Sequence, residues 1–589
     1  MKKQILFVVL LVSSFGYAQN EYLLAENYFS AGEYEKATTV YKKLYEKSPF
    51  NTTYLQRLIS CYQETTQFVR AEKLLKAKIQ SNPSQVFLYV YLGYNYERQQ
   101  QKEKATIYYQ KALSAIDEKS NYSGLIAAIF KHYSRIEYAI TAYEKAMKNN
   151  PKANYNFQIA QLYGEKGAFK KMFQSYIDLI DKNPDYVKNV QRYVSRYLTN
   201  DAESKNNILF RKTLLRKSAS NPKDEWNLLL SWLFAQQKEY GKAFLQERAL
   251  YQRNSEDLSQ IFLLGKIAFE NTDYDSAKQI FSFVNENTLF DEEKLEANLY
   301  LAKIAIKTKS NQTEELFQRL FSTFGKNQAT IKLQVLYADY LTFQKNNASK
   351  AIEVLKNALG FSNSKFDKAR IKLKLGEVLV FTGKKNKALI YFSQIQTQLK
   401  NHPLAQQATF KVAQTSYFNG DFTWAKAQLK ILKSATTQLI ANDAIALFLT
   451  ITDNEPVDAI PSGLTAYAKA DLLAFQNKNQ EAVVVLKDIL NKFKGQPIED
   501  EALFKQATLF IKLQAFENAI VNFKKIIQGD PKGILRDDAH YALAELYNYQ
   551  LNNPEKASEH YQKIIFDFAS SIYLVDARKK YRKLRGDAL

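Results

Sequence analysis

Apolar residues in this chain recur at i, i+3, i+4 and i+7 in one segment after another, the period of a helix with a single buried face. Short polar turns containing Gly, Asn or Pro cut the pattern into pieces of helical length. Helix formers (Ala, Leu, Lys, Glu, Gln) fill nearly every piece. With 18 Gly and 11 Pro in 589 residues, there are too few turn residues for an all-β chain. The pattern predicts an all-α protein made of many short helices.

The helices repeat in pairs. Ala37, Ala71, Ala105 and Ala139 follow one another at steps of 34, with Tyr41, Leu75, Tyr109 and Tyr143 four residues after each. Pro49, Pro83, Asp117 and Pro151 keep the same step. Leu92-Gly93 lies upstream of Ala105 and Leu264-Gly265 of Ala277 and Phe281. Leu375-Gly376 likewise precedes Ala388 and Phe392, and the frame returns at Ala425, Ala482, Ala519 and Ala557. Small residues in both helices of a pair let the backbones approach closely. The large residue four positions after the Ala fills the space toward the next pair. Gly or Asn ends the first helix, and Pro stops the second.

Leu-Gly-x-x-Tyr in a first helix and Ala-x-x-x-Phe in a second resemble the tetratricopeptide repeat (TPR) family. The resemblance covers about 13 to 15 units and implies a right-handed superhelical α-solenoid of helical hairpins. The last unit, PEKASEHYQKIIFDFASSIYLVDARKKYRKLRGD, resembles the TPR modules of bacterial envelope proteins, in the style of Bacteroidota-type periplasmic TPR proteins.

Departures from the step divide the array. Residues 1–18 combine Lys2 and Lys3 with the apolar run Ile5–Val12 and the small-residue site Gly16-Tyr17-Ala18, the pattern of a cleavable signal peptide. An N-terminal array is expected over 19–184, an irregular helical segment over 185–222, and a central array over 223–454. From Ala351 the step lengthens to 37, and the gap of 57 from Ala425 to Ala482 leaves room for one extra helix at Ser434–Thr452. A linker is expected over 455–463, followed by a C-terminal array over 464–589 with a capping helix. The leader predicts a periplasmic protein without a transmembrane anchor.

Chemistry is sparse in the sequence. No P-loop, GxGxxG, HExxH, GxSxG or CxxC motif occurs, so no enzyme activity, cofactor or metal is expected. Cys61, the single cysteine, lies in an apolar helical pattern and reads as a buried, inert thiol. His540 and His560 fall on the two helices of the last hairpin, within reach of each other, and read as interface histidines. Carboxylates recur at charge-pairing distances along the helices and read as solvated faces.

Binding is the function this pattern leaves, and a solenoid offers a long surface for it. In the TPR family the concave face is lined by first-helix positions that here correspond to Phe87, Val90, Tyr94, Glu97 and Arg98, a wall suited to an apolar or extended peptide. The family's two-carboxylate clamp is missing, since its positions hold Gln56 and Ser60 in one unit and Val90 and Tyr94 in the next. The net charge is +22, and residues 361–440 carry thirteen Lys or Arg against three Asp or Glu. Lys365, Lys368, Arg370, Lys372, Lys374, Lys384, Lys385 and Lys387 form a candidate anionic docking face there. The expectation is a non-enzymatic adaptor that binds other envelope proteins, including acidic or extended segments. Outer-membrane assembly, secretion and cell-wall coordination are the candidate processes. The alternative is recognition of cell-wall glycan or anionic lipid through residues 361–440. Export makes nucleic acid an unsuitable partner.

Overall fold

The computed structural model describes residues 21–254, 257–432, 438–455 and 462–586. The expected leader lies outside these residues, as do residues 456–461 of the expected linker. Every regular element among the described residues is helical, giving the all-α solenoid of hairpins that the repeat implies. No described helix is long and apolar enough to cross a membrane.

The chain forms two compact units, divided within the helix Asp224–Gln236. The first unit begins with helical residues 21–30 and Tyr34–Lys47, and continues hairpin by hairpin to Asn156–Glu165 and Phe169–Lys182. The pattern then loosens into Val187–Val194 and Lys205–Ser220, within the stretch expected to be irregular. The second unit takes in Thr199–Ser204 and runs from Leu230 to the last described helix, Leu574–Arg585. One helix there, Gln438–Asp453, stands outside the hairpin alternation and fills the gap where an extra helix was expected.

The packing follows the Ala–aromatic frame. Ala37, Ala105, Ala277, Ala388, Ala519 and Ala557 are all buried, as are Tyr41, Tyr109, Phe281, Phe392, Phe523 and Tyr561 four residues later. Each Gly of the first helix lies against that ring. A Cβ on Gly93 would stand 2.5 Å from Tyr109, one on Gly265 3.0 Å from Phe281, and one on Gly376 2.3 Å from Phe392. Buried residues of neighbouring hairpins therefore merge into continuous cores, one of which runs from Leu299 to Leu509.

The turn inside each hairpin puts one residue in the left-handed region. Gly32, Gly167, Gly383 and Gly420 take it without penalty, and so do Asn346, Asn477 and Asn552 at small cost. Thr66, Gln100, Ser134, Thr272, Lys309 and Gln514 take it as well, although nothing in those residue types invites it. Hairpin packing holds these turns against local preference, so a search for Gly or Asn does not find them.

Candidate interaction surface

Successive hairpins are joined by a ladder of ion pairs, most of them between first helices, with Arg135 at the head of a second helix as the exception. Within the first unit, Arg57 Nε donates to Glu26 Oε1 at 2.8 Å and Arg135 Nη2 meets Glu97 Oε1 at 2.6 Å. Within the second unit, Lys374 reaches Asp339 at 2.6 Å and Lys411 reaches Glu377 at 3.0 Å. Lys505 reaches Asp471 at 2.6 Å, and Lys580 reaches Glu545 at 2.8 Å. Buried tyrosines support the same carboxylates, since Tyr109 donates to Glu97 at 2.6 Å and Tyr417 to Asp471 at 2.9 Å. Tyr41 and Tyr561 bond Glu26 and Glu545 in the same way. These carboxylates were expected on solvated faces; instead they join one hairpin to the next.

Glu377 is the most enclosed rung. Burial disfavours its charge, but Lys374 at 2.5 Å and Lys411 outweigh that cost and pull the carboxyl down to about 2. Around Glu97 burial again opposes ionisation, and hydrogen bonds from Arg135 and Tyr109 reverse it. The polar side chains of the first helices are thus largely committed to cohesion between hairpins.

The ladder opens into a recess at one place in the second unit. Phe343, Phe381, Phe418 and Phe475 end four of the first helices and converge. Ring centroids lie 5.4 Å apart for Phe343–Phe381, 5.6 Å for Phe343–Phe475 and 6.0 Å for Phe418–Phe475. Asn477 Nδ2 donates to the Phe343 carbonyl at 2.8 Å, joining residues 134 positions apart. Beside these rings is a cavity of about 270 Å³ walled by Tyr417, Phe418, Leu447, Ala474 and Phe475, with Gln414, Asp471, Lys505 and Lys512 as its polar members. Leu447 comes from the extra helix Gln438–Asp453, so the break in the alternation shapes this wall.

The eight residues of the basic stretch do not share one environment. Lys365, Lys368, Lys384 and Lys387 are exposed. Arg370 pairs with Asp367 at 2.8 Å, Lys385 Nζ donates to the Phe418 carbonyl at 3.0 Å, and Lys374 belongs to the ladder. Lys372 is half-buried, which pulls its ammonium below the usual range.

The five residues read as a concave wall also divide. Phe87 and Val90 are buried, Phe87 beside Tyr122 at 5.7 Å, and Glu97 is a ladder rung. Tyr94 stacks on Tyr133 with centroids 3.7 Å apart, and Arg98 bonds Glu64 at 3.3 Å. Tyr94 and Arg98 keep partly open surfaces. Cys61 is fully buried, and burial pushes its thiol up to about 12. The Nδ1 atoms of His540 and His560 approach to 3.0 Å. Burial pulls both imidazoles down to about 4, helped by Arg536 at His540 and by His540 at His560. Among the described residues, no three His, Cys, Asp or Glu side chains form a group able to hold a metal ion.

Comparison with known proteins agrees with the repeat. The tetratricopeptide repeat family matches residues 19–51 and 501–533. The TPR repeat-containing protein YpiA of Bacillus subtilis is 25% identical over 348 residues, covering 57% of this chain and 78% of YpiA. Among solved structures, yeast Tom70 is 14% identical over 74% of this chain and 96% of its own, with a TM-score of 0.30. The Cut9–Hcn1 hetero-tetramer of the APC/C is 13% identical over 96% of each chain, with a TM-score of 0.26. Two stretches of the chain thus match the tetratricopeptide repeat, and the Ala–aromatic hairpins that run through both units follow the same frame.

Proposed function

We propose that the chain is a non-enzymatic adaptor of the bacterial periplasm that holds an extended segment of a partner protein and so organises envelope machinery. The observation that carries this reading is the recess at Tyr417, Phe418, Leu447 and Phe475. It joins an apolar wall to the exposed Lys512 on a face whose other polar groups are spent on the ladder. An apolar side chain of an extended peptide fits the wall, and the neighbouring helices accept the main chain beside it. The leader pattern at 1–18 supports the periplasm, and the form of the last unit supports an envelope role. The test is affinity capture from the native cells with the intact chain and with Phe475→Asp. Proteins captured by the intact chain and lost with the variant support the reading, and an unchanged set contradicts it.

A second reading rests on the four exposed lysines Lys365, Lys368, Lys384 and Lys387, which present positive charge to cell-wall glycan or anionic lipid. Binding of this kind weakens steeply between about 50 and 300 mM salt, as the Debye length falls from roughly 14 to roughly 6 Å, whereas an apolar segment in the recess hardly responds.

A further inference from the structure

The first unit contains a cleft that the adaptor reading does not use. The helix Phe169–Lys182 places Lys170, Lys171 and Gln174 on one face, at i, i+1 and i+4. The helix Lys205–Ser220 places Thr213, Arg216 and Lys217 on one face, at i, i+3 and i+4. The helices pack through Phe173 and Phe210, whose rings lie 4.9 Å apart, and the two polar stripes line a common cleft of about 460 Å³. No carboxylate lines it.

The nearby carboxylates are occupied. Asp181 takes Lys217 and Lys223, each at 2.6 Å, and Asn221 at 2.9 Å. The hydrogen bonds from Lys217 and Lys223 hold it below the usual carboxylate range. Asp178 accepts from Gln174 Nε2 at 2.9 Å. Lys171 lies over the ring of Tyr163 at 5.2 Å, a contact that orients the ammonium without neutralising it. With Lys217 matched to Asp181, the positive charge directed into the cleft comes from Lys170, Lys171 and Arg216. A guanidinium fork on one helix and two lysine point charges on the other suit phosphoryl oxygens, and a volume of this size suits a small ligand.

We propose that this cleft binds the diphosphate group of a small molecule, with Arg216 bridging its oxygens and Lys170 and Lys171 balancing its charge. Three cations match the roughly three negative charges that a diphosphate carries near neutral pH. The test is calorimetric titration of the full chain with inorganic pyrophosphate in 150 mM NaCl, alongside ADP and sulfate at matched ionic strength. Saturable binding with one site per chain is expected for pyrophosphate, at least tenfold tighter than for sulfate. ADP binding as tightly as pyrophosphate identifies the diphosphate of a larger molecule as the ligand, and weaker ADP binding identifies the free anion. Replacing Lys170, Lys171 and Arg216 together by Gln lowers the affinity at least tenfold. Replacing the exposed Lys469, Lys487 and Lys492 by Gln removes the same charge elsewhere and leaves the affinity unchanged. The proposal is overturned by absence of saturable binding, by sulfate binding as tightly as pyrophosphate, or by equal losses in the two triple variants.

Discussion

Gly376 has no room for a methyl group. Its added Cβ would stand 2.3 Å from Phe392, a fully buried ring that cannot swing into solvent. Gly376→Ala therefore lowers stability by about 1–3 kcal/mol despite the gain in helix propensity. At Gly360, where nothing lies within 4 Å, the same change raises stability by up to about 1 kcal/mol. Thermal or urea unfolding of both variants checks the pair. The hairpin turns give the opposite sign: Thr66, at φ +58°, is relieved by Thr66→Gly, and stability rises by about 1 kcal/mol in the same assay. The Gly–aromatic contact was legible in the sequence because both partners keep fixed places in a repeating frame. The left-handed turns at Thr66, Gln100 and Gln514 were not, because the fold imposes them on residues with no preference for that conformation. Cys61 was legible from its apolar neighbours, and a thiol reagent should label it only after denaturant unfolds the first hairpins.

At the scale of the helix, the ladder sets how hairpins hold one another. Glu377→Gln leaves Lys374 and Lys411 without their shared counter-charge, and should cost about 3 kcal/mol. Denaturant unfolding of the variant measures that cost, and a change within 0.5 kcal/mol (about the surface-substitution range) would mean that water already screens the rung. The ladder escaped the sequence because acid and base sit in different hairpins, 31 residues apart at Glu26–Arg57 and 38 at Glu97–Arg135. No short charge pattern marks such a pair. The last hairpin adds a pH dependence. His540 and His560 titrate near 4 when folded and near 6.5 when unfolded, so the unfolded chain binds protons first as the pH falls. Their contribution to stability is complete above about pH 6.5, is lost progressively below it, and levels off below about 4. Arg536 and Lys563 face His540 with Asp537 and Asp567, and Lys524 faces His560. Melting temperatures of the wild type and His560→Gln should converge as the pH falls from 7 to 4. Glu501, pushed up to about 7 by burial and by Asp453 and Asp500, acts in the opposite sense and is common to both proteins.

For the whole molecule, the sequence made the hairpin solenoid legible and left the recess hidden. The frame of Ala and aromatic residues repeats through both units, so the fold can be read one hairpin at a time. Phe343 meets Phe475 and Asn477 only because the intervening helices stack so as to bring residues more than a hundred positions apart into contact, and no local pattern records that. The charge surplus of residues 361–440 was visible as composition, but only the packing separates the ladder lysine Lys374 from the exposed Lys365 and Lys387. The central claim is that the recess, and not the outer surface, receives the partner. A photo-crosslinking residue placed at Ala474, within the recess, and another at the exposed Ile390 test this directly in the native cells. Discrete protein adducts that disappear with Phe475→Asp are expected from position 474, and none from position 390. Adducts from position 390 alone, or the same adducts from both positions, would contradict it.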